Sequence, residues 1–180
     1  MKIEFFKTDD HVTLGYMDKG SGIPVILMAG YSAPVTSWYR EEKTLLKYGY
    51  RVIAFDRRSH GSSENPSFGQ DMATQGRDID ALMRHLKIKK AFLIGQSQGA
   101  SAMWAYISQF GTEHLYGVIS IDQTPKMINE EGWPYGIDRF RSGNTSGIFR
   151  CAPSKGEQEI FEQVPDRPAA AWEEIFELRS

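Results

Sequence analysis

The sequence predicts an α/β fold, a mostly parallel sheet with helices on both faces, and three observations point to it. From residue 24 onward, short apolar runs alternate with stretches in which apolar residues return every three or four positions, in the order β-α-β-α-β-α-β. The runs at 24–28 and 91–94 are continuously apolar, as in strands covered on both sides, and do not alternate as strands with one wet face do. Gly30 and Tyr31, Asp56 and Arg57, Ser97, and Asp122 and Gln123 each follow a strand, which gathers them on the rim where open sheets bind ligands.

Residues 3–6 and 12–16 are β-prone runs around Thr8, Asp9, Asp10 and His11, and read as an opening antiparallel hairpin with a polar turn. The run at 24–28 ends at Ala29 and Gly30, and a loop follows. Trp38, Leu45 and Leu46 fall on one helical face, and Gly49 caps that helix in left-handed geometry. Residues 51–55 return as a strand. Met72, Gly76, Ile79, Met83 and Leu86 are spaced four, three, four and three apart, the stripe of a helix lying on a sheet. After the strand at 91–94, Ala100, Met103, Trp104 and Ile107 repeat the helical period until Gly111, and 118–122 form a sixth strand. We assign residues 1–124 to this core and 125–180, rich in Gly, Pro and aromatics with helical patterns at 155–164 and 169–178, to a cap or lid over the rim.

Composition excludes several classes of function. Of 180 residues, 41% are hydrophobic and 24% charged, enough apolar surface for one folded domain. With 21 basic against 23 acidic residues and a net charge of -2, no basic field exists to condense on nucleic acid, and Lys and Arg are scattered. The N-terminal segment lacks an apolar signal core and no run approaches the roughly 18 apolar residues of a membrane span, so a cytoplasmic location is expected. Cys151 is alone, which forbids an intrachain disulfide and leaves a zinc site without support.

The stretch Gly95-Gln96-Ser97-Gln98-Gly99 lies between a strand and an amphipathic helix. A turn that tight needs residues without bulk on both sides of the serine, and it lifts Ser97 Oγ to a helix N-terminus where free N–H groups favour developing negative charge. Ser97 is therefore the candidate nucleophile. In Asp56-Arg57-Arg58-Ser59-His60-Gly61-Ser62-Ser63, the Asp56 carboxylate is expected to hold the loop by local hydrogen bonds.

Together with Gly30-Tyr31, these two segments resemble the α/β-hydrolase family, esterase-like and haloperoxidase-like members with a cap, over residues 20–140. The 56–63 segment is similar to the family's D-x-R-G-x-G-x-S loop, with Ser59 where glycine is usual, and Ala29 stands where the family usually has histidine. The resemblance implies an acyl-accepting Ser97, an oxyanion hole built from the backbone N–H groups of Gln98 and Tyr31, no cofactor and a small-molecule acyl substrate. The activity it implies is cleavage of a small ester, thioester or lactone. Perhydrolysis with peroxide as acyl acceptor, and ligand binding without turnover, are the alternatives.

A serine hydroxyl needs a base, and the family places a histidine late in the chain after a carboxylate. His11, His60, His85 and His114 all fall outside that order, and only His60 lies on the rim. Asp122 is a candidate acid at the end of the sixth strand, with capping of the next turn as its structural role. A family member of usual length adds two strands, the acid and the histidine beyond residue 180, so the core is expected to be incomplete on its C-terminal side. The 180-residue chain alone is then expected to be inactive, and the apolar edge of the sixth strand to be covered by a further C-terminal segment or by a second copy. Trp133, Tyr135, Phe140 and Phe149 are candidates for an apolar acyl pocket.

Overall fold

Alternation in the central strands decides which helix lies where. In the computed structural model, which describes residues 2–126 and 131–133, strand β3 (Pro24–Met28) turns Val25 and Leu27 to one face and Ile26 and Met28 to the other. Its neighbour β4 (Arg51–Phe55) does the same with Val52 and Ala54 against Ile53 and Phe55. Each face must be covered. One is covered by α1 (Tyr39–Lys47), through Leu45 and the preceding Trp38. The other is covered by α2 (Met72–His85) and α3 (Gln98–Phe110), through Ile79, Leu82, Met83, Met103 and Tyr106. Helices on both faces are therefore a consequence of two-sided burial.

The hairpin of β1 (Glu4–Lys7) and β2 (Thr13–Lys19) joins antiparallel, β2 against β4, while β4, β3, β5 (Ala91–Gln96) and β6 (Leu115–Ile121) run parallel. The order across the sheet is β1-β2-β4-β3-β5-β6. Among the described residues β6 is the last strand on its side, and every residue in it after Leu115 is only half-buried. The helical ends follow local chemistry. Asp71 caps α2 by accepting from Thr74 N–H at 2.8 Å, and α1 and α3 end at glycines of positive φ, Gly49 (φ 76°) and Gly111 (φ 70°).

Two elements depart from the sequence reading. Trp38 belongs to a separate 3₁₀ turn (Val35–Trp38) after Pro34, not to the helix that carries Leu45. β6 begins at Leu115 because pairing with Ala91 and Phe92 across a register shift extends it through Gly117, a poor strand former on its own. Of the candidate cap at 125–180, residues 125–126 and 131–133 are described, with Trp133 Nε1 donating to Lys126 O at 3.0 Å, whereas Tyr135, Phe140, Phe149, Cys151 and both helical patterns after residue 150 lie outside the described residues.

The hairpin turn is tied to the rim by Arg58, whose side chain is fully buried. Its guanidinium meets Asp78 of α2 through Nε (2.8 Å) and Nη2 (2.7 Å) and also bridges to Asp10. Asp78→Ala should leave that buried cation with only the partly exposed Asp10 as counter-ion, and breaking a buried pair from one side costs about 3–5 kcal/mol. Urea unfolding checks this, and an unchanged midpoint would show that the pair contributes nothing net.

Candidate active site

The site starts from a steric constraint at the end of β5. A Cβ on Gly95 would sit 2.5 Å from Ala100 Cα, and one on Gly99 would sit 2.2 Å from the carbonyl oxygen of Met28. Neither position can hold a larger residue without backbone movement. Between them Ser97 adopts φ 49° and ψ −119°, a conformation that costs an L-residue about 1–3 kcal/mol and persists only where the surroundings enforce it. Here they do: Ser97 N–H donates to Ile121 O of β6 at 2.8 Å, and Ser97 O accepts from Ala100 and Ser101 in the first turn of α3. The Ser97 side chain makes no capping bond to that turn, so its half-buried hydroxyl stands at the helix N-terminus without a partner among the described residues.

The exit of β3 packs against this turn. A Cβ placed on Gly30 would be 3.5 Å from Ser97 Cβ, which puts the Gly30–Tyr31 peptide beside the elbow. Neither Tyr31 N–H nor Gln98 N–H donates to another described residue. The Tyr31 side chain is 77% exposed and meets the His60 ring edge to face at 5.9 Å. Beside these residues opens a cleft of about 660 Å³, lined by Tyr31, His60, Asn65, Gln70, Gln75 and Gln98 among others. Ser97 borders this cleft through Gln98 and does not itself line it. The lining is chiefly hydroxyl and carboxamide.

The 56–63 loop is held by Asp56, as its sequence suggests. Asp56 Oδ1 accepts from Val35 N–H at 2.8 Å, Oδ2 accepts from both the N–H and the hydroxyl of Ser62 at 2.8 Å, and the Asp56 carbonyl accepts from the Ser63 hydroxyl. Ser59 takes a left-handed φ of 63°, which accounts for glycine being the usual residue there.

His60 does reach the rim, but its nitrogens are committed. Nδ1 lies 2.9 Å from Arg58 O, which can only accept, so Nδ1 carries the proton; Nε2, 3.2 Å from Arg57 Nη2, must then accept from the guanidinium. Burial and the Arg57 charge hold its pKa below the usual histidine value. A lone pair already bound to a cation is a poor general base. The other histidines lie away from the rim: His85 packs against Phe6 and Tyr16 at ring distances of 5.4 and 5.7 Å, His114 Nδ1 meets Lys89 O, and His11 is in the hairpin turn. Asp122 directly follows Ile121, whose carbonyl Ser97 engages. It is exposed, with φ 56°. Among the described residues the Asp122 carboxylate accepts no capping bond, and the turn carries instead a bond from Ser120 Oγ to Gln123 O at 2.7 Å.

Sequence reasoning placed Arg57 on the rim but gave no role to it or to the polar residues around it. The Arg57 side chain is buried and donates to Ala29 O, Gln75 Oε1, Gly30 O, His60 Nε2 and Gln98 Oε1, all uncharged. Burial pushes its pKa down to about 10, which leaves it cationic at neutral pH. The available signal was an arginine two residues beyond Phe55, where the apolar run 52–55 of β4 ends.

A serine on an enforced turn at the head of a helix, above the carboxyl ends of a parallel sheet, defines a class of protein. Residues 23–147 match the model of the α/β hydrolase fold, and the chain belongs to that family. It is similar to a non-heme chloroperoxidase of Streptomyces lividans, 32% identical over 168 residues that make up 89% of this chain and 58% of the relative. An esterase from Exiguobacterium antarcticum aligns with a TM-score of 0.68 at 30% identity, over 73% of this chain and 50% of its own. A bromoperoxidase from Bacillus anthracis gives 0.68 at 29% identity, over 78% and 51%. The chain thus spans between half and three-fifths of the length of these proteins. Among the described residues, no helix is long and apolar enough to cross a membrane.

Proposed function

We propose that this protein is a serine hydrolase that cleaves a small ester, thioester or lactone through an acyl-Ser97 intermediate. The observation that carries this reading is the enforced backbone of Ser97, with an unpartnered hydroxyl beside two N–H groups that donate to no other described residue. In the reaction Ser97 Oγ attacks the acyl carbon and its proton passes to a general base. The carbonyl oxygen becomes an oxyanion facing Tyr31 N–H and Gln98 N–H. Collapse of the tetrahedral species expels the alcohol, thiol or ring oxygen, which takes up the proton, and water then releases the acid from Ser97. Oxyanion donors of this kind are worth roughly 3–4 kcal/mol each in the barrier. Asp122 is the proposed acid, and the base is proposed to be a histidine that is not among the four of this sequence, His11, His60, His85 and His114.

The names of the similar haloperoxidases favour a second use of the same acyl-enzyme. If hydrogen peroxide replaces water as acceptor, the product is a peracid, with no metal or haem required. Assaying acetate ester with and without peroxide separates the two. Labelling by a fluorophosphonate probe, lost in Ser97→Ala, distinguishes either activity from simple ligand binding.

His60→Ala should reduce turnover less than about tenfold in the full-length protein, against the roughly millionfold loss expected for a base acting with the serine. Steady-state hydrolysis of p-nitrophenyl acetate decides this. A loss comparable to that of the nucleophile would make His60 the base.

A further inference from the structure

Two consecutive arginines leave β4, and they are solvated by the protein in opposite ways. Arg58 pairs with the carboxylates of Asp78 and Asp10. Arg57 is buried and has no carboxylate partner among the described residues, since the nearest acid in sequence, Asp56, is occupied by Val35 and Ser62. A buried charge without a counter-ion is costly, and a purely structural site would be better filled by an ion pair or an apolar group. What Arg57 holds gives the reason. Its Nη2 donates at 3.0 Å to Gly30 O, and that carbonyl belongs to the same planar peptide as Tyr31 N–H, pointing the other way. The same Nη2 donates at 3.0 Å to the side chain of Gln98, whose own N–H is the second donor. Nε reaches Ala29 O and Nη1 binds Gln75 Oε1 at 2.6 Å, which fixes the guanidinium plane.

We infer that Arg57 is the positioning residue of the oxyanion hole: it aims the Gly30–Tyr31 peptide, couples it to Gln98 and sets an uncompensated positive charge behind both donors. The inference rests on the serine-hydrolase reading. Hydrogen bonding to the carbonyl also polarises the peptide and strengthens its N–H as a donor. A positive charge in a poorly solvated site favours an oxyanion more than a neutral carbonyl, so the effect falls on the transition state.

The test compares Arg57→Met, Arg57→Lys and Ser97→Ala in the full-length protein, with Arg84→Lys on the surface of α2 as control. For p-nitrophenyl acetate, Arg57→Met should lower kcat about a hundredfold, as loss of one oxyanion donor does. Arg57→Lys, which keeps the charge but loses the planar fork, should recover part of that loss. KM should stay within about threefold in both, because the interaction is made in the transition state. The phosphorus resonance of phosphonylated Ser97 should move in both Arg57 variants and stay in place in Arg84→Lys. Unchanged kcat in a folded Arg57→Lys together with an unmoved resonance overturns the inference, as does an effect confined to KM; with Ser97→Ala inactive, the hydrolase reading survives either result. Should Arg57→Met not fold, Arg57→Lys alone decides. Turnover retained in Ser97→Ala overturns the hydrolase reading, and the role of Arg57 falls with it.

Discussion

Ser97→Ala is expected to remove turnover of a short-chain aryl ester by about a millionfold in the full-length protein, the loss seen when a triad nucleophile is deleted. The effect on folding should be small. Ser97 Oγ makes no bond to the helix it precedes, while the backbone bonds that hold the turn, from Ser97 N–H to Ile121 O and from Ala100 and Ser101 to Ser97 O, survive the substitution. The backbone strain remains too, because alanine and serine share the same Cβ penalty at φ 49°. The measurement is a pair: initial rates with p-nitrophenyl acetate and thermal unfolding of the same preparation. A variant that keeps most of its rate removes Ser97 from the chemistry. A variant that loses its rate by unfolding fails to test it, and for that case Ser97→Cys, close in size and still nucleophilic, should retain labelling by the fluorophosphonate probe or a thiol reagent.

What was legible in the sequence follows from where the determining forces are local. The strands around Ile26 and Leu93 could be read because two-sided burial leaves no place for polar residues, and the elbow because Gly95 and Gly99 answer a steric demand within five residues. The stripe from Met72 to Met83 could be read because a single helix face repeats in sequence. Long-range effects were not visible. Arg57 could be placed on the rim, but its role emerges only once residues 29, 30, 75 and 98 are brought around it by the sheet and two helices. The start of β6 depended on an exchange of hydrogen bonds with β5, not on its own composition. Asp122 looked like a cap because aspartate commonly is one, yet among the described residues its turn is bonded through Ser120 Oγ to Gln123 O.

Gly99→Val should prevent folding, not merely slow a reaction, and the comparison with Gly111→Ala shows why. At Gly99 an added Cβ would lie 2.2 Å from Met28 O and 2.6 Å from Ala29 O, atoms at the buried end of β3, a strand that pairs with β4 on one side and β5 on the other. Neither carbonyl can retreat without breaking the sheet at the point where the Gly30–Tyr31 peptide begins. A branched side chain adds two more atoms to that overlap, and overpacking that cannot relax costs more than the roughly 1–3 kcal/mol typical of tolerant cores. Marginal stability of about 5–15 kcal/mol leaves little room for such a loss. Gly111 has the opposite character: its φ of 70° disfavours any other residue, but an added Cβ meets nothing within 4 Å. Gly111→Ala should therefore cost about 1–3 kcal/mol of conformational strain, the penalty of φ 70° with ψ −161°, and nothing from overlap. Expression yield, far-ultraviolet circular dichroism and thermal melting of the two variants separate contact from conformation. Normal yield and an unchanged melting temperature for Gly99→Val would mean that α3 does not press against β3, and the enforced geometry of Ser97 would lose its cause.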